Sequence, residues 1–106
     1  MAGWVAEGES GVAGFIAARR VLTDLEILNL AVHPDARGRG IATQLLHQAL
    51  KWSESFEARK AILEVRASNL AALRFYERNK FQVVGRRPRY YTGPVEDALL
   101  LTRAFD

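Results

Sequence analysis

The sequence predicts an α/β domain built on one mixed sheet. Apolar residues alternate with a period of two in stretches near both ends of the chain, and between them two stretches switch to three- and four-residue steps. The strand–helix–strand order from Leu25 to Val65 favours parallel neighbours, whereas the short connections elsewhere favour hairpins. A length of 106 residues allows one domain, 1–106, with one modest core.

Trp4 to Glu7 is short and apolar, bounded by Gly8 and Gly11, and reads as a strand entering a tight turn. Gly11 to Arg20 is the returning arm of that hairpin. Leu25 to Val32 is a third strand in which Leu28, Leu30 and Val32 share one face. His33-Pro34-Asp35 ends it, because the residue before proline is held extended and proline has no amide donor. Ile41, Leu45, Ala49, Trp52 and Phe56 mark an amphipathic helix from Ile41 to about Phe56. Ala61 to Val65 is a compact strand, and Ser68 caps a helix reaching about Arg78, with Leu70, Leu73 and Phe75 available for packing. Phe81 to Val84 is a strand, Arg86 to Pro94 a loop, and Ala98 to Leu101 the start of a last strand. The order is β-β-β-α-β-α-β-β, without internal repeat or low-complexity tract.

Composition narrows the function classes. Hydrophobic residues make up 49% and charged residues 25%, the balance of an ordinary globular chain. No apolar run approaches the roughly 20 residues that span a bilayer, and no membrane partner is expected. Met1-Ala2-Gly3-Trp4 lacks the regions of a secretory signal. The absence of Cys removes disulfides, thiolate metal sites and a cysteine nucleophile. The expectation is a cytoplasmic protein. His33, before a proline, and His47, on a helix surface, suggest no metal site. The net charge of +3 is concentrated in two arginine clusters, Arg37 with Arg39, and Arg86, Arg87 and Arg89.

The first cluster lies in the most informative segment, Arg37-Gly38-Arg39-Gly40-Ile41-Ala42, directly between a strand and a long helix. Two glycines let the backbone curl around a ligand, and the first amides of the helix point outward without internal acceptors. With the positive end of the helix dipole they form an anion site suited to a pyrophosphate. Ala42 leaves room beside the first turn. The phosphate loop G-x-x-x-x-G-K-[ST] is excluded because no lysine lies there, and the dinucleotide fingerprint G-x-G-x-x-G because Thr43 stands where its third glycine is needed and no suitably placed acidic residue follows. A basic glycine turn that only caps a helix would have the same composition.

The motif R-x-x-G-x-A in that turn resembles the pyrophosphate loop of the GNAT acyltransferase superfamily. Leu28-Asn29-Leu30-Ala31-Val32-His33-Pro34 before it resembles that superfamily's central strand. Leu63-Glu64-Val65-Arg66-Ala67-Ser68-Asn69, Ala72-x-x-Phe75-Tyr76-Glu77, Arg89-Tyr90-Tyr91 and Glu96-Asp97-Ala98 are similar to its branch of bacterial ribosomal-protein alanine N-acetyltransferases. The likeness runs from about Leu25 to the end of the chain.

The resemblance implies a GNAT-like sheet whose central parallel strands splay around acetyl-CoA. It implies cofactor contacts from the backbone of Leu30, Ala31 and Val32, from the turn Arg37, Gly38, Arg39, Gly40, Ile41, Ala42 and Thr43, and from Asn69. It implies Glu64 as general base and Tyr76 as the acid for the leaving thiolate. Tyr90 and Tyr91 would line the acceptor. The acceptor implied is a protein N-terminal amine, of a ribosomal protein by the same likeness. Glu64 lies in an otherwise apolar strand (Ala61, Ile62, Leu63, Val65), where a carboxylate is expected to hold its proton more tightly than usual.

Other readings of the same residues are a strand-end carboxylate at Glu64 paired with Arg66 or a nearby lysine, a core aromatic at Tyr76 and a simple helix-start residue at Asn69. Competing functions are acetylation of a small amine or lysine, and an acyl-CoA-binding module without turnover. Nucleic acid is disfavoured because the arginines are not interleaved with aromatics on a sheet face.

The sequence departs from the family pattern twice. The family usually has a strand and two helices ahead of the hairpin, and here Met1 falls almost directly before it. The expectation is an N-terminally shortened domain whose sheet edge and apolar face near Trp4, Phe15 and Ile16 are covered by a second copy, a homodimer. A glycine often precedes the phenylalanine of Asn79-Lys80-Phe81, and Asn79 is expected to take the left-handed conformation there.

Overall fold

The computed structural model describes residues 1–8 and 11–105. Its elements are β1 (Ala2–Gly8), β2 (Gly11–Val21), β3 (Asp24–Val32), a 3-10 turn (Pro34–Ala36), α1 (Ile41–Glu54), β4 (Lys60–Arg66), α2 (Leu70–Arg78), β5 (Gln82–Tyr91) and β6 (Glu96–Ala104). The strands form one sheet in the order β1-β2-β3-β4-β6-β5. β3 and β4 are parallel, and the other pairs are antiparallel. The anticipated mixed α/β architecture and element order are both present.

α1 buries Leu45, Leu46, Ala49 and Ser53 and packs on β1, β2 and β3. Trp52 on its flank meets Trp4 edge-on at 5.7 Å and Phe56 at 4.9 Å. Ala61, Leu63 and Val65 alternate inward from β4 and join Leu73 and Tyr76 of α2, Phe81 and Leu101 in the same core. Each fully buried leucine contributes about 1.5–3 kcal/mol. That stripe holds α1 firmly on the sheet and so fixes where its N-terminus points.

Hydrophobic phase in β3 changes at one place. Ala17 pairs with Asn29 and Ala18 with Ile27, so Leu28 is an extra residue, a β-bulge. Leu25 and Ile27 are buried before the bulge and Leu30 packs on the core after it, while Leu28 is turned out. Of the row Leu28, Leu30 and Val32 expected on one face, Leu28 does not pack on the core as Leu30 does. The bulge lies where β3 parts from β4: their ladder contains only Leu25–Ala61 and Glu26–Ile62.

Several boundaries differ from the sequence reading. The segment expected as a loop from Arg86 to Pro94 is strand as far as Tyr91, because β6 supplies ladder partners past the Arg-Pro-Arg run. Register shifts at Gly85 and between Arg87 and Tyr91 accommodate that run. Phe81 precedes β5 as a core residue, and α1 ends at Glu54 before Phe56. Asn69, not Ser68, caps α2: its side chain accepts from the Ala72 amide, whereas the Ser68 amide donates to Glu96 at 3.0 Å. Leu70, in the first turn of α2, stays exposed. The left-handed residue after α2 is Lys80 (φ 71°), while Asn79 stays at φ −95° and its side-chain Nδ2 donates to the Phe75 carbonyl at 2.9 Å. Finally, Ile16 is buried under α1 and Trp4 packs on Trp52, so of the three residues expected on an uncovered apolar face only Phe15 is exposed.

Candidate active site

Below the bulge the diverging β3 and β4 open a cleft of about 270 Å³, lined among others by Leu28, Leu30, Glu64, Asn69, Tyr76 and Tyr91. In an antiparallel pair only alternate residues bond to the neighbour. The remaining backbone groups of β3 face β4 and lose their partner where the strands part. The His33 amide donates to the Ala13 carbonyl of β2, and by alternation Ala31 also bonds toward β2, so Leu30 and Val32 are the residues whose main-chain groups turn to the cleft. The Val32 carbonyl already accepts a long contact from Arg37 Nε at 3.3 Å, which ties the following turn back to β3.

That turn ends in two left-handed glycines, Gly38 (φ 81°) and Gly40 (φ 75°). A Cβ at either would meet nothing within 4 Å, so backbone conformation rather than crowding demands glycine. Gly40 is the N-cap of α1 and supplies no side-chain acceptor, and the first turn of α1 carries no acidic residue. The leading amides of α1, Ile41 to Thr43, precede the first helical bond, from the Gln44 amide to the Gly40 carbonyl, and have no acceptor within the helix. By contrast, Asn69 uses its Oδ1 on Ala72 at the head of α2, leaving its amide nitrogen for other partners.

Leu63 and Val65 turn into the core, so the pleat sends Glu64 to the other face of β4. Its Oε2 is buried without a hydrogen-bond partner among the described residues. Its Oε1 stands 3.6 Å from the guanidinium of Arg87, not of Arg66 as the strand-end reading had it. Tyr76 is buried, which pushes its phenol up to about 12. Tyr91 is raised by burial first and then by the charge of Glu64, and it lies 4.3 Å beneath Arg66. Tyr90 is exposed at 49%, edge-on to Tyr91 and 5.5 Å from Arg87, outside the cleft lining.

The mouth of the cleft is braced by two neighbouring carboxylates of β6 that sequence reasoning had noticed without placing. Glu96 accepts from the Ser68 amide at 3.0 Å and from Arg66 at 3.2 Å, linking β6 to the approach to α2. Asp97 accepts from the Arg89 amide at 2.9 Å and Arg86 Nε at 2.6 Å. These bonds hold both carboxyls below the usual carboxylate range, led by the Ser68 bond for Glu96 and the Arg89 bond for Asp97. The arginine cluster of β5 is therefore largely an internal brace.

The chain matches the Acetyltransferase (GNAT) family over residues 1–81. It is 35% identical over 92 residues to the [ribosomal protein bS18]-alanine N-acetyltransferase of Escherichia coli, covering 85% of this chain and 62% of that protein. It is also 35% identical over 97 residues to a candidate enzyme of the same description from Bacillus subtilis, covering 92% and 64%. The chain thus spans somewhat less than two thirds of these relatives. Its structure is similar to the crystal structure of the Escherichia coli ribosomal-protein-S18-alanine N-acetyltransferase, with a TM-score of 0.86 and 30% identity over 97% of this chain and 68% of that one. It is similar also to a candidate streptothricin acetyltransferase of Bacillus anthracis in complex with acetyl coenzyme A, with a TM-score of 0.90 and 25% identity over 98% and 62%.

Proposed function

The chain belongs to the GNAT acetyltransferase family, and on that premise we propose that it transfers an acetyl group from acetyl-CoA to a primary amine, the N-terminal amine of a protein. The observation that carries this reading is the placement of Glu64 in the lining of the cleft between β3 and β4, with one carboxylate oxygen, Oε2, buried without a partner among the described residues. Burying such an atom is costly unless something binds it.

The residues fit the donor. The glycine turn and the leading amides of α1, Gly38 to Thr43, would hold its pyrophosphate, with Arg37 and Arg39 adding charge. The free edge of β3 from Leu30 to Val32 would hold the pantetheine arm, with Asn69 opposite. Bound there, acetyl-CoA supplies an activated thioester. The Glu64 carboxylate accepts the proton that the amine loses on attack, directly or through water. An N-terminal amine, with an ordinary pKa of about 7.7–8.0, is substantially neutral at working pH. Tyr76 keeps its proton because burial holds it near 12. A thiol, ordinarily near about 8.5, is the stronger acid. Tyr76 therefore helps the leaving sulfur by donating a hydrogen bond, with proton transfer following release. Tyr91, in the cleft lining, contacts the acceptor, and Tyr90 extends that surface outward.

The ribosomal-protein acceptor follows the named relatives, and a cytoplasmic location suits a chain without Cys. No helix among the described residues is long and apolar enough to cross a membrane. We also place a homodimer contact along β1, which forms one edge of the sheet beside an exposed row of Val5, Phe15 and Ala31. Light scattering at micromolar concentration checks it; a stable monomer rejects it.

A thiol-release assay over N-terminal peptides, polyamines and lysine peptides tests the main reading. Fastest turnover on an N-terminal peptide is expected. Preference for polyamines or lysine moves the chain to that acceptor class, and acetyl-CoA binding without release on any acceptor makes it a binding module.

A further inference from the structure

We propose that Arg87 is a positioning residue that tethers Glu64 through Oε1 and so holds its carboxylate in the cleft where the acceptor amine would sit. The proposal rests on the acetyltransferase reading above and deepens it. The tether is electrostatic: at 3.6 Å the Arg87–Glu64 contact is too long for a hydrogen bond. It therefore steadies Oε1 without occupying Oε2, which is buried and unpartnered among the described residues. A hydrogen-bonded partner on Oε2 would have removed the base from use.

The neighbouring cations are already engaged. Arg66 is held by Glu96 and the Pro94 carbonyl, and Arg86 by Asp97. Tyr91, the other titratable group whose ionisation responds to the Glu64 charge, is neutral in the ordinary pH range. This leaves Arg87 as the counter-charge of the base.

Its placement is built in. Between Arg87, opposite Ala98, and Tyr91, opposite Glu96, β5 carries more residues than β6, so the strand bulges there. Asp97 grips the bulge on both sides of Arg87, through the side chain of Arg86 and the amide of Arg89. Arg89 sits at φ 56°, an unfavourable conformation that this bond holds. The Arg87 guanidinium also lies 5.5 Å from the Tyr90 ring, which limits its swing.

The test compares Arg87→Gln, Arg87→Lys and Glu64→Gln by steady-state kinetics, calorimetry with acetyl-CoA, and crystal structures of the two Arg87 variants. A half-exposed ion pair contributes modestly, so Arg87→Gln is expected to lower kcat about two- to five-fold. Acceptor KM and acetyl-CoA affinity should stay as in the wild type, the lysine variant should recover most of the rate, and Glu64 should leave its cleft rotamer only in the glutamine variant. An unchanged kcat with Glu64 unmoved in Arg87→Gln, or an equal loss in both Arg87 variants, overturns the tether. Full activity in Glu64→Gln instead overturns the base assignment. If no acceptor turns over at all, the Glu64 rotamers in the crystal structures still decide whether Arg87 holds it.

Discussion

Gly14 on β2 lies so close to β3 that a Cβ there would stand 2.8 Å from the carbonyl oxygen of Ala31 and 3.3 Å from Leu45. The obstructing atom is backbone, so it cannot swing aside. Gly14→Ala is therefore expected to destabilise the fold by about 1–3 kcal/mol. Ala31 belongs to the strand proposed to hold the pantetheine arm, so acetyl-CoA affinity should fall as well. Chemical denaturation and calorimetry check both effects.

The glycines of the turn should respond differently. Gly38 and Gly40 have open space around them and left-handed backbones. Alanine at either costs about 1–2 kcal/mol of conformational strain. The loss should appear mainly as weaker acetyl-CoA binding, because the turn can relax to another conformation while the core stays packed. Titration calorimetry beside thermal unfolding separates the two.

Glu64→Gln should lower kcat by about 10²–10⁴ if the carboxylate is the base. Tyr76→Phe, which keeps the buried ring, should cost about 10–100-fold, the worth of a hydrogen bond to a charged group. Affinity for acetyl-CoA should change little in either. Because burial holds Tyr76 near 12, its titration should not cause a fall in rate near pH 10. The rate should climb through the ordinary range of the acceptor amine. A pH–rate profile beside single-variant kinetics checks this set.

Acid should loosen the mouth of the cleft. Glu96 and Asp97 are held below the ordinary carboxylate range by their bonds to Ser68 with Arg66, and to Arg89 with Arg86. A carboxyl with a lowered folded-state pKa stabilises the fold above its unfolded pKa, and that contribution is lost as pH falls through the folded value. The β5–β6 bulge and the approach to α2 should lose protection below the ordinary carboxylate range, and Asp97→Asn should reproduce part of the effect at neutral pH. Hydrogen exchange at the Arg89 and Ser68 amides reads it directly.

Much of this arrangement was legible along the chain. The change from two-residue to three- and four-residue periodicity located α1, and glycines at 38 and 40 marked the turn ahead of it. The bulge was legible too but was missed: apolar residues at 25, 27, 28, 30 and 32 change phase between Ile27 and Leu28, the mark of an inserted residue. The Arg86–Arg89 run was misread because charge and proline indicate a loop, whereas an edge strand tolerates both. Its cause is long-range, the ladder and carboxylates of β6. The pairing of Glu64 with Arg87 had no local signal, since only the sheet order brings residues 23 positions apart together.

The central claim concerns where the diphosphate of the acyl donor binds, and a crystal structure of the chain soaked with acetyl-CoA tests it most directly. The account predicts density for the diphosphate against the amides from Gly38 to Thr43, with the thioester between β3 and Glu64. Density for the cofactor elsewhere, such as the groove beside Lys51, Lys80 and Arg103, with the glycine turn empty, would contradict it.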